Sequence, residues 1–425
     1  MGKRPARSWL PYGLRALHER NFVLYVVGQF TSQLGSWIEL TAVSWIMYEM
    51  TNSPFLLGLV GLFRATPTIL LALYGGAMAD RLPRRLVLMC TESTMLVLSL
   101  TLGILAYTGH LEYWHLYVLN FISGTLQAFS VPARHALFAG LVPREAMSSA
   151  VTMNSVSVRS GGFIGPSIAG LALAYGGYSL PFFINAASFV AMLVALAMMQ
   201  IPRVENEKAV KHPSIRKGMS EGVAFVWNTP LLRVALLLEL ATGLFGHNTA
   251  LITIMVRDVL EAGPQALGLL MSATGAGALI GMTLLLTFET KQHGRLILTL
   301  GIIYTVLWGA FGFSQLIWLS ALLLLALGVC DATWGVTRNT LAQLLATDAM
   351  RGRTMSIVML ATRGSSQLGR VQSGFTVGLI GAPATILLGA SIIGAAVLSS
   401  WMKVRVPEII GKPVAPETEE APEQH

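Results

Sequence analysis

Twelve apolar stretches of membrane-spanning length run through this 425-residue chain. About 20 apolar residues are enough to cross a bilayer as a helix. The chain is 54% apolar and only 12% charged, whereas soluble domains are about 25% charged. This composition excludes a soluble globular protein and predicts an all-α, polytopic membrane protein. The stretches are residues 22–49, 55–79, 86–107, 113–138, 147–172, 178–201, 230–255, 264–287, 295–313, 316–344, 353–378 and 383–402.

The loop charges predict how these stretches are oriented. When both termini and the even-numbered connections are placed on one side, that side holds nearly all the loop lysines and arginines, and the other side holds Arg257 alone. Cytoplasmic loops carry the excess of positive charge. We therefore expect both termini in the cytoplasm and a location in the cell inner (plasma) membrane. The net charge of +8 then favours anionic membrane lipids as partners and gives no reason to expect nucleic acid.

A polar segment divides the stretches into two groups of six. We predict an N-terminal six-helix half at 1–201, a cytoplasmic linker at 202–229 and a C-terminal six-helix half at 230–403. The linker ends in an apolar run that is compatible with an amphipathic helix at the membrane surface. The tail at 404–425 is rich in proline and glutamate, so we expect it to be disordered.

The two halves are related by an internal repeat. A shift of 204 residues places Arg134 on Arg338 and Arg159 on Arg363, and a shift of 210 places Gln29 on Glu239. Each half has an even number of stretches, so the repeats share one membrane orientation. Such repeats are related by a pseudo-twofold axis along the membrane normal, an arrangement found in secondary transporters.

The loop after the second stretch carries a motif of glycine, three residues, an acid, a base and a final basic pair. The chain here resembles the major facilitator superfamily, except that Pro83 stands where that family often has glycine. The resemblance implies the superfamily fold and a cytoplasmic gate at this loop. The gate is expected to comprise Gly76, Asp80, Arg81, Arg84, Arg85 and Arg134.

The fifth stretch is similar to the glycine-proline run of exporters and antiporters in that superfamily. Its helix-packing residues are Gly161, Gly165, Pro166 and Gly170, and small residues allow helices to approach closely. Nearly the whole chain resembles the branch that contains the enterobactin exporter and multidrug efflux proteins. The resemblance implies a monomeric, proton-coupled exporter (antiporter) of small amphiphilic molecules such as drugs or siderophores, working by alternating access without a cofactor or metal. An importer or a lipid transporter of the same fold is the alternative.

Charged residues inside the stretches are candidates for the mechanism. A charge at bilayer depth costs about 2.5–3.5 kcal/mol on insertion scales, so it faces protein or water. The proton-coupling candidates are Glu39, Glu239 and Asp331, with Glu39 first and Arg64 as its expected partner. The alternative for each is a buried pair that holds helices together. The predicted substrate cavity is lined by Gln29, Gln33, Trp37, Arg64, Arg159, His247, Arg363 and Arg370, although Trp37 and His247 are also compatible with simple packing.

Other functions find less support in the sequence. No phosphate-binding loop of an ATP-driven pump occurs, and neither a zinc-protease histidine pair nor a nucleophile elbow is present. We therefore expect no enzymatic activity. Two cysteines inside apolar stretches form neither a disulfide framework nor a zinc site. The paired halves and the signature loop argue against a channel or a receptor.

Overall fold

The computed structural model of the protein describes residues 16–143, 146–200, 215–287 and 293–403, and no strand occurs within these ranges. The predicted tail at 404–425 and the first part of the linker, 202–214, lie outside them. The helices are α1 (Arg20–Thr51), α2 (Pro54–Arg81), α3 (Arg84–Tyr107), α4 (Tyr113–Ala139), α5 (Met147–Gly176), α6 (Ser179–Met198), α7 (Ile215–Asn228), α8 (Pro230–Phe245), α9 (Thr249–Ile254), α10 (Pro264–Thr287), α11 (His293–Gly312), α12 (Ile317–Leu345), α13 (Asp348–Ile380) and α14 (Ala382–Lys403).

Each predicted apolar stretch coincides with one of these helices, except that the stretch at 230–255 is divided between α8 and α9. The division lies at residues 246–248, where the Asn248 side chain accepts a hydrogen bond from the Leu251 backbone N–H and caps α9. A π-helical turn, Met255–Val259, continues α9. An N-cap asparagine within an apolar run therefore starts a second helix, because its side chain replaces a missing backbone partner.

Eight segments of the described chain are long and apolar enough to cross a membrane: those in α2, α3, α6, α10, α11, α12 and α14, and the α8–α9 segment. Four further helices, α1, α4, α5 and α13, also exceed the length needed to cross a membrane but are not among these apolar segments. A charge or amide within a spanning helix faces protein or a hydrated cavity. The polar side chains on these four helices include Gln29, Gln33, Glu39, Arg134, Arg159, Arg363 and Arg370.

Two close helix pairs join the first six long helices to the later ones: α2 with α13, and α5 with α10. Glycine makes both approaches possible. A Cβ added at Gly58 would lie 2.6 Å from the carbonyl oxygen of Arg370, and one added at Gly275 would lie 2.6 Å from that of Gly162. The α2–α13 crossing lies toward the end of the bundle where α1 ends and α2 begins, which we term the closed end. The α5–α10 contact runs from the middle of both helices to that end, where Gly170 meets Gly268.

A polar cluster at the closed end also links the two groups of helices. The Tyr48 hydroxyl donates a short hydrogen bond to the Asp258 carboxylate. The Arg257 guanidinium donates to the Tyr48 carbonyl oxygen at 2.7 Å and lies 5.2 Å from the centre of the Tyr48 ring. Arg257 and Asp258 are neighbours in the π-helical turn, and both form hydrogen bonds with Tyr48.

The helix expected near the end of the linker is present as α7. It packs on α8 and α13, and Glu221 on α7 forms an ion pair with Arg353 on α13. Trp227 and Val223 on α7 are about half exposed. The linker helix is thus attached to the bundle by a charge pair while apolar side chains remain uncovered.

Candidate functional site

Glu39 lies at the centre of a buried polar network that joins α1, α3 and α6. Its Oε2 accepts hydrogen bonds from the Ser99 hydroxyl at 2.7 Å and from the Asn185 side-chain amide at 2.6 Å. Asn185 also donates to Ser99 at 3.0 Å. Glu39 is 7% exposed, and both partners are fully buried. Gly35, one turn before Glu39, allows this approach, because a Cβ there would overlap Asn185 and Ser188 on α6.

The partners of Glu39 are therefore neutral. Arg64, the expected partner, forms no direct ion pair with Glu39 within the described ranges, but the two opposite charges attract each other at longer range. Arg64 stands on α2, which makes few contacts with α1 compared with α4 and α13. The direct hydrogen bonds to the carboxylate come from a hydroxyl and an amide, and Arg64 acts on Glu39 through its charge alone.

The repeat is reproduced by two equivalent side-chain pairs. Arg134 on α4 donates to Gln29 on α1 at 2.9 Å and forms an ion pair with Glu92 on α3. Arg338 on α12 forms an ion pair with Glu239 on α8, the two residues that the repeat aligns with Arg134 and Gln29. In the later helices the acid is Glu239, which occupies the position that corresponds to Gln29. In the first six helices the acid is Glu92, which lies on a third helix, α3.

Glu92 and Arg338 were not among the predicted site residues. Glu92 is 1% exposed and forms an ion pair with Arg134, which is one of the residues predicted for the gate. The signal for Arg338 was in the sequence, because the repeat aligns it with Arg134. The Trp334 indole N–H also donates to Glu239 at 3.2 Å, so Glu239 is held by two side chains of α12.

An open cleft of about 370 Å³ lies between α12 and α13, on the side of Arg338 away from the closed end. Arg338 and Arg363 supply its two positive charges. Arg363 is exposed in this cleft, whereas Arg159, its equivalent by the repeat, is exposed on α5 outside the lining. The remaining lining residues are Asn339, Met355, Ser356, Val358, Met359 and Thr362.

Among the other predicted cavity and coupling residues, Trp37 and His247 contact neighbouring helices, whereas Asp331 and Gln33 differ in exposure. Trp37 packs over α5, with ring or Cβ atoms 2.6–3.3 Å from where a Cβ would stand at Gly161, Gly162 or Gly165. His247 shares a 2.9 Å hydrogen bond with the Tyr304 hydroxyl. Asp331 is exposed, and Gln33 is partly buried.

The expected packing residues of α5 divide between two neighbouring helices. Gly161 and Gly165 face α1, whereas Pro166 and Gly170 face Gly268 on α10. The Ser167 and Ser272 hydroxyls add a 2.7 Å hydrogen bond across the α5–α10 contact. This run therefore lies where the two groups of helices meet.

The predicted gate is described only in part. Gly76, Asp80 and Arg81 belong to the last turns of α2, and their side chains lie outside the described part. Arg84 donates to the Ala136 carbonyl oxygen at 2.9 Å, and Arg85 donates to Ala197 at 2.8 Å. These two arginines fasten the start of α3 to the ends of α4 and α6.

Comparison with known proteins identifies the family. The sequence matches the model of the transmembrane secretion effector family over residues 13–424. The chain belongs to this family of major facilitator superfamily transporters. It is therefore a multi-pass membrane transporter and not an enzyme, and its bacterial relatives point to the plasma membrane.

Relatives in this family bear the names of exporters. The chain is 25% identical to the multidrug efflux pump Tap of Mycolicibacterium fortuitum, over 86% of this chain and 91% of that protein. It is 28% identical to the enterobactin exporter EntS of Shigella flexneri, over 72% of each. It is 27% identical to the MFS-type transporter YfiS of Bacillus subtilis over 62% of this chain, and the match spans 63% of YfiS.

The fold is shared with solved transporter structures. The nucleoside transporter NupG superposes with a TM-score of 0.69 at 12% identity, covering 91% of this chain and all of NupG. At that identity the likeness concerns the fold alone.

Proposed function

We propose that this protein exports small amphiphilic molecules in exchange for protons, by alternating access. The observation that carries the proton part is Glu39, a buried carboxylate whose direct partners are a hydroxyl and an amide. The names of Tap and EntS support export. Drugs and siderophores are the substrate classes that these names suggest.

Glu39 suits proton exchange better than the other acids inside the bundle. Glu92 and Glu239 are each held in an ion pair by an arginine, so a proton that binds either acid would have to break that pair. Asp331 is exposed on α12, so it is not enclosed between helices as Glu39 is. Glu39 has a hydroxyl and an amide as its direct partners, so no ion pair has to break when it binds or releases a proton. A proton bound at Glu39 would alter hydrogen bonds to α3 and α6 together, which links its charge to helix packing.

We infer a two-half architecture of twelve spans, with α1–α6 and α8–α14 as the halves and the linker between them. The equivalent Gln29–Arg134 and Glu239–Arg338 pairs support this symmetry. With the positive loops in the cytoplasm, the closed end faces outward and the cleft beside Arg338 opens inward. Both termini are then cytoplasmic, and the loop around Asp80 is the inner gate of a monomer in contact with anionic lipids.

The test is flux in proteoliposomes under an imposed pH gradient. Three fluorescent amphiphiles serve as probes: cationic ethidium, neutral dansylamide and anionic dansylglycine. We expect uphill movement of at least one of them, abolished in Glu39→Gln while downhill exchange persists. Glu112→Gln makes the same chemical change at the exposed start of α4 and should leave flux unaltered.

Two results would contradict the proposal in different ways. Full uphill flux in Glu39→Gln would transfer the coupling role to Glu239 or Asp331. Flux that responds to sodium and not to pH would remove proton coupling altogether.

A further inference from the structure

Arginines inside the bundle fall into two groups according to their partners. Arg134 and Arg338 each form an ion pair with a buried glutamate. Arg64 and Arg370 form none with any acid in the described part of the chain, although both are at most partly exposed. Arg363 lines the open cleft, where water reaches its charge. Arg64 and Arg370 are not among the residues that line this cleft.

Arg64 and Arg370 lie on the two sides of the α2–α13 crossing. The Arg370 side chain packs on α2 at Gly61, its Cδ 3.0 Å from where a Cβ would stand. Arg64 follows Gly61 by three residues, which places it one turn farther on the same face of α2. The charge of Arg64 opposes that of Arg370 and is attracted by the carboxylate of Glu39. The α2–α13 contact also joins the two groups of helices that alternating access would separate.

Unsatisfied polar atoms occupy the same contact. Nε of Arg370 and Oε1 of Gln367 are fully buried and have no hydrogen-bond partner among the described residues. Gln367 also faces Gly61, with Oε1 3.0 Å from the point that a Cβ at this glycine would occupy. Buried polar groups nearly always have a partner, so these two atoms, beside two arginines without a direct ion pair, indicate a place for a ligand that offers an acceptor to Nε and a donor to Oε1.

We propose that Arg64 and Arg370 together bind an anionic group of a transported amphiphile. This inference rests on the proposed transport function and names the substrate class for it. An anion between the guanidinium groups removes their repulsion, supplies the acceptor that Nε lacks and bridges α2 to α13. A planar carboxylate fits best, because guanidinium binds it through two parallel hydrogen bonds.

The carboxylate or phosphate group that two arginines bind can belong to a soluble amphiphile or to an anionic lipid headgroup. We assign the site to the soluble amphiphile, because it lies at the α2–α13 contact between the two groups of helices, which alternating access would open to solution. The experiment below separates the two sources.

The decisive comparison uses two probes that differ only in charge, dansylglycine and its neutral amide, titrated by fluorescence against purified full-length protein in detergent. We expect the carboxylate to bind the wild type at least about tenfold more tightly than the amide. Equal affinity of the two probes would overturn the proposal without any variant being made.

Variants then locate the site. Arg370→Gln and Arg64→Gln should each weaken dansylglycine binding about tenfold or more, and should change amide binding less than about threefold. Arg233→Gln, which removes an arginine at the start of α8, is the matched control and should alter neither. Because Arg370 is unpaired, its replacement should not lower the unfolding temperature. Unchanged dansylglycine binding in both variants would overturn the assignment.

Lipid analysis decides between the two sources. Phosphatidylglycerol retained after extensive detergent washing is quantified by mass spectrometry for the wild type and Arg370→Gln. Equal retention supports a soluble ligand, whereas one additional lipid per wild-type molecule would overturn it in favour of a headgroup. These measurements use no gradient, so a failure of proton-driven flux and a failure of anion binding are distinguishable.

Discussion

Replacing Tyr48 by phenylalanine should open the closed end of the bundle. The hydroxyl of Tyr48 donates to the carboxylate of Asp258, and Tyr48 is only 4% exposed. Phenylalanine keeps the ring under Arg257 and the carbonyl oxygen that Arg257 contacts, so the substitution removes this single hydrogen bond. A hydrogen bond to a charged group contributes about 1.5–3 kcal/mol. The equilibrium between closed and open forms should therefore shift about tenfold to a hundredfold toward the open form.

Distances between spin labels report this shift directly. Labels at Tyr107 and Phe313, which are 79% and 74% exposed near the ends of α3 and α11, lie in different groups of helices at the closed end. Cys90 and Cys330 are first replaced by alanine. Pulsed electron–electron double resonance should show a second population at longer distances. This population should be larger in Tyr48→Phe than in the wild type.

A matched control separates the effect from the general loss of a tyrosine hydroxyl. Tyr117 donates to the Leu56 carbonyl oxygen at 2.8 Å, a contact between α4 and α2 that does not join the two groups of helices. Tyr117→Phe should leave the distance distribution unchanged. If Tyr48→Phe and Tyr117→Phe give the same distribution as the wild type, the Tyr48–Asp258 contact does not hold the end closed.

Two further predictions concern stability, measured by thermal unfolding in detergent. Arg134→Gln leaves the buried carboxylate of Glu92 without its partner, so it should destabilise the protein by about 3 kcal/mol; an unfolding temperature equal to that of the wild type would contradict the structural role of this pair. Gly277→Ala places a methyl group against the Leu325 carbonyl oxygen and should cost about 1–3 kcal/mol, whereas Gly364→Ala meets no atom within 4 Å and should be neutral or slightly stabilising. Equal stability of the two alanine variants would refute the tight α10–α12 contact.

Helix positions could be predicted from the sequence because apolar length is a local property. Polar helices were found in the same way, since their charges interrupt an apolar run without ending it. The break between α8 and α9 was missed. Its signal was Gly246 and Asn248, but a single possible cap inside an apolar run does not distinguish a broken helix from a continuous one.

Side-chain partners were harder to predict than helix positions. The internal repeat aligned Arg134 with Arg338, and the structure gives both a partner at equivalent places. The partners of Glu39 are 60 and 146 residues away in sequence and carry no charge, so neither periodicity nor charge pairing indicates them. Arg64 was the expected partner because charge complementarity was the available signal. Neutral hydrogen-bond partners become visible only when the helices are packed together.

The most direct test of proton exchange follows the proton itself. Proteoliposomes are loaded with the pH-sensitive dye pyranine, and the probe found to be transported is added outside without a pre-formed pH gradient. Inward movement of the probe should expel protons and raise the internal pH for the wild type and Glu112→Gln, with no change for Glu39→Gln. Probe uptake by the wild type without any change in internal pH would contradict proton exchange, and an undiminished pH change in Glu39→Gln would contradict the role of Glu39.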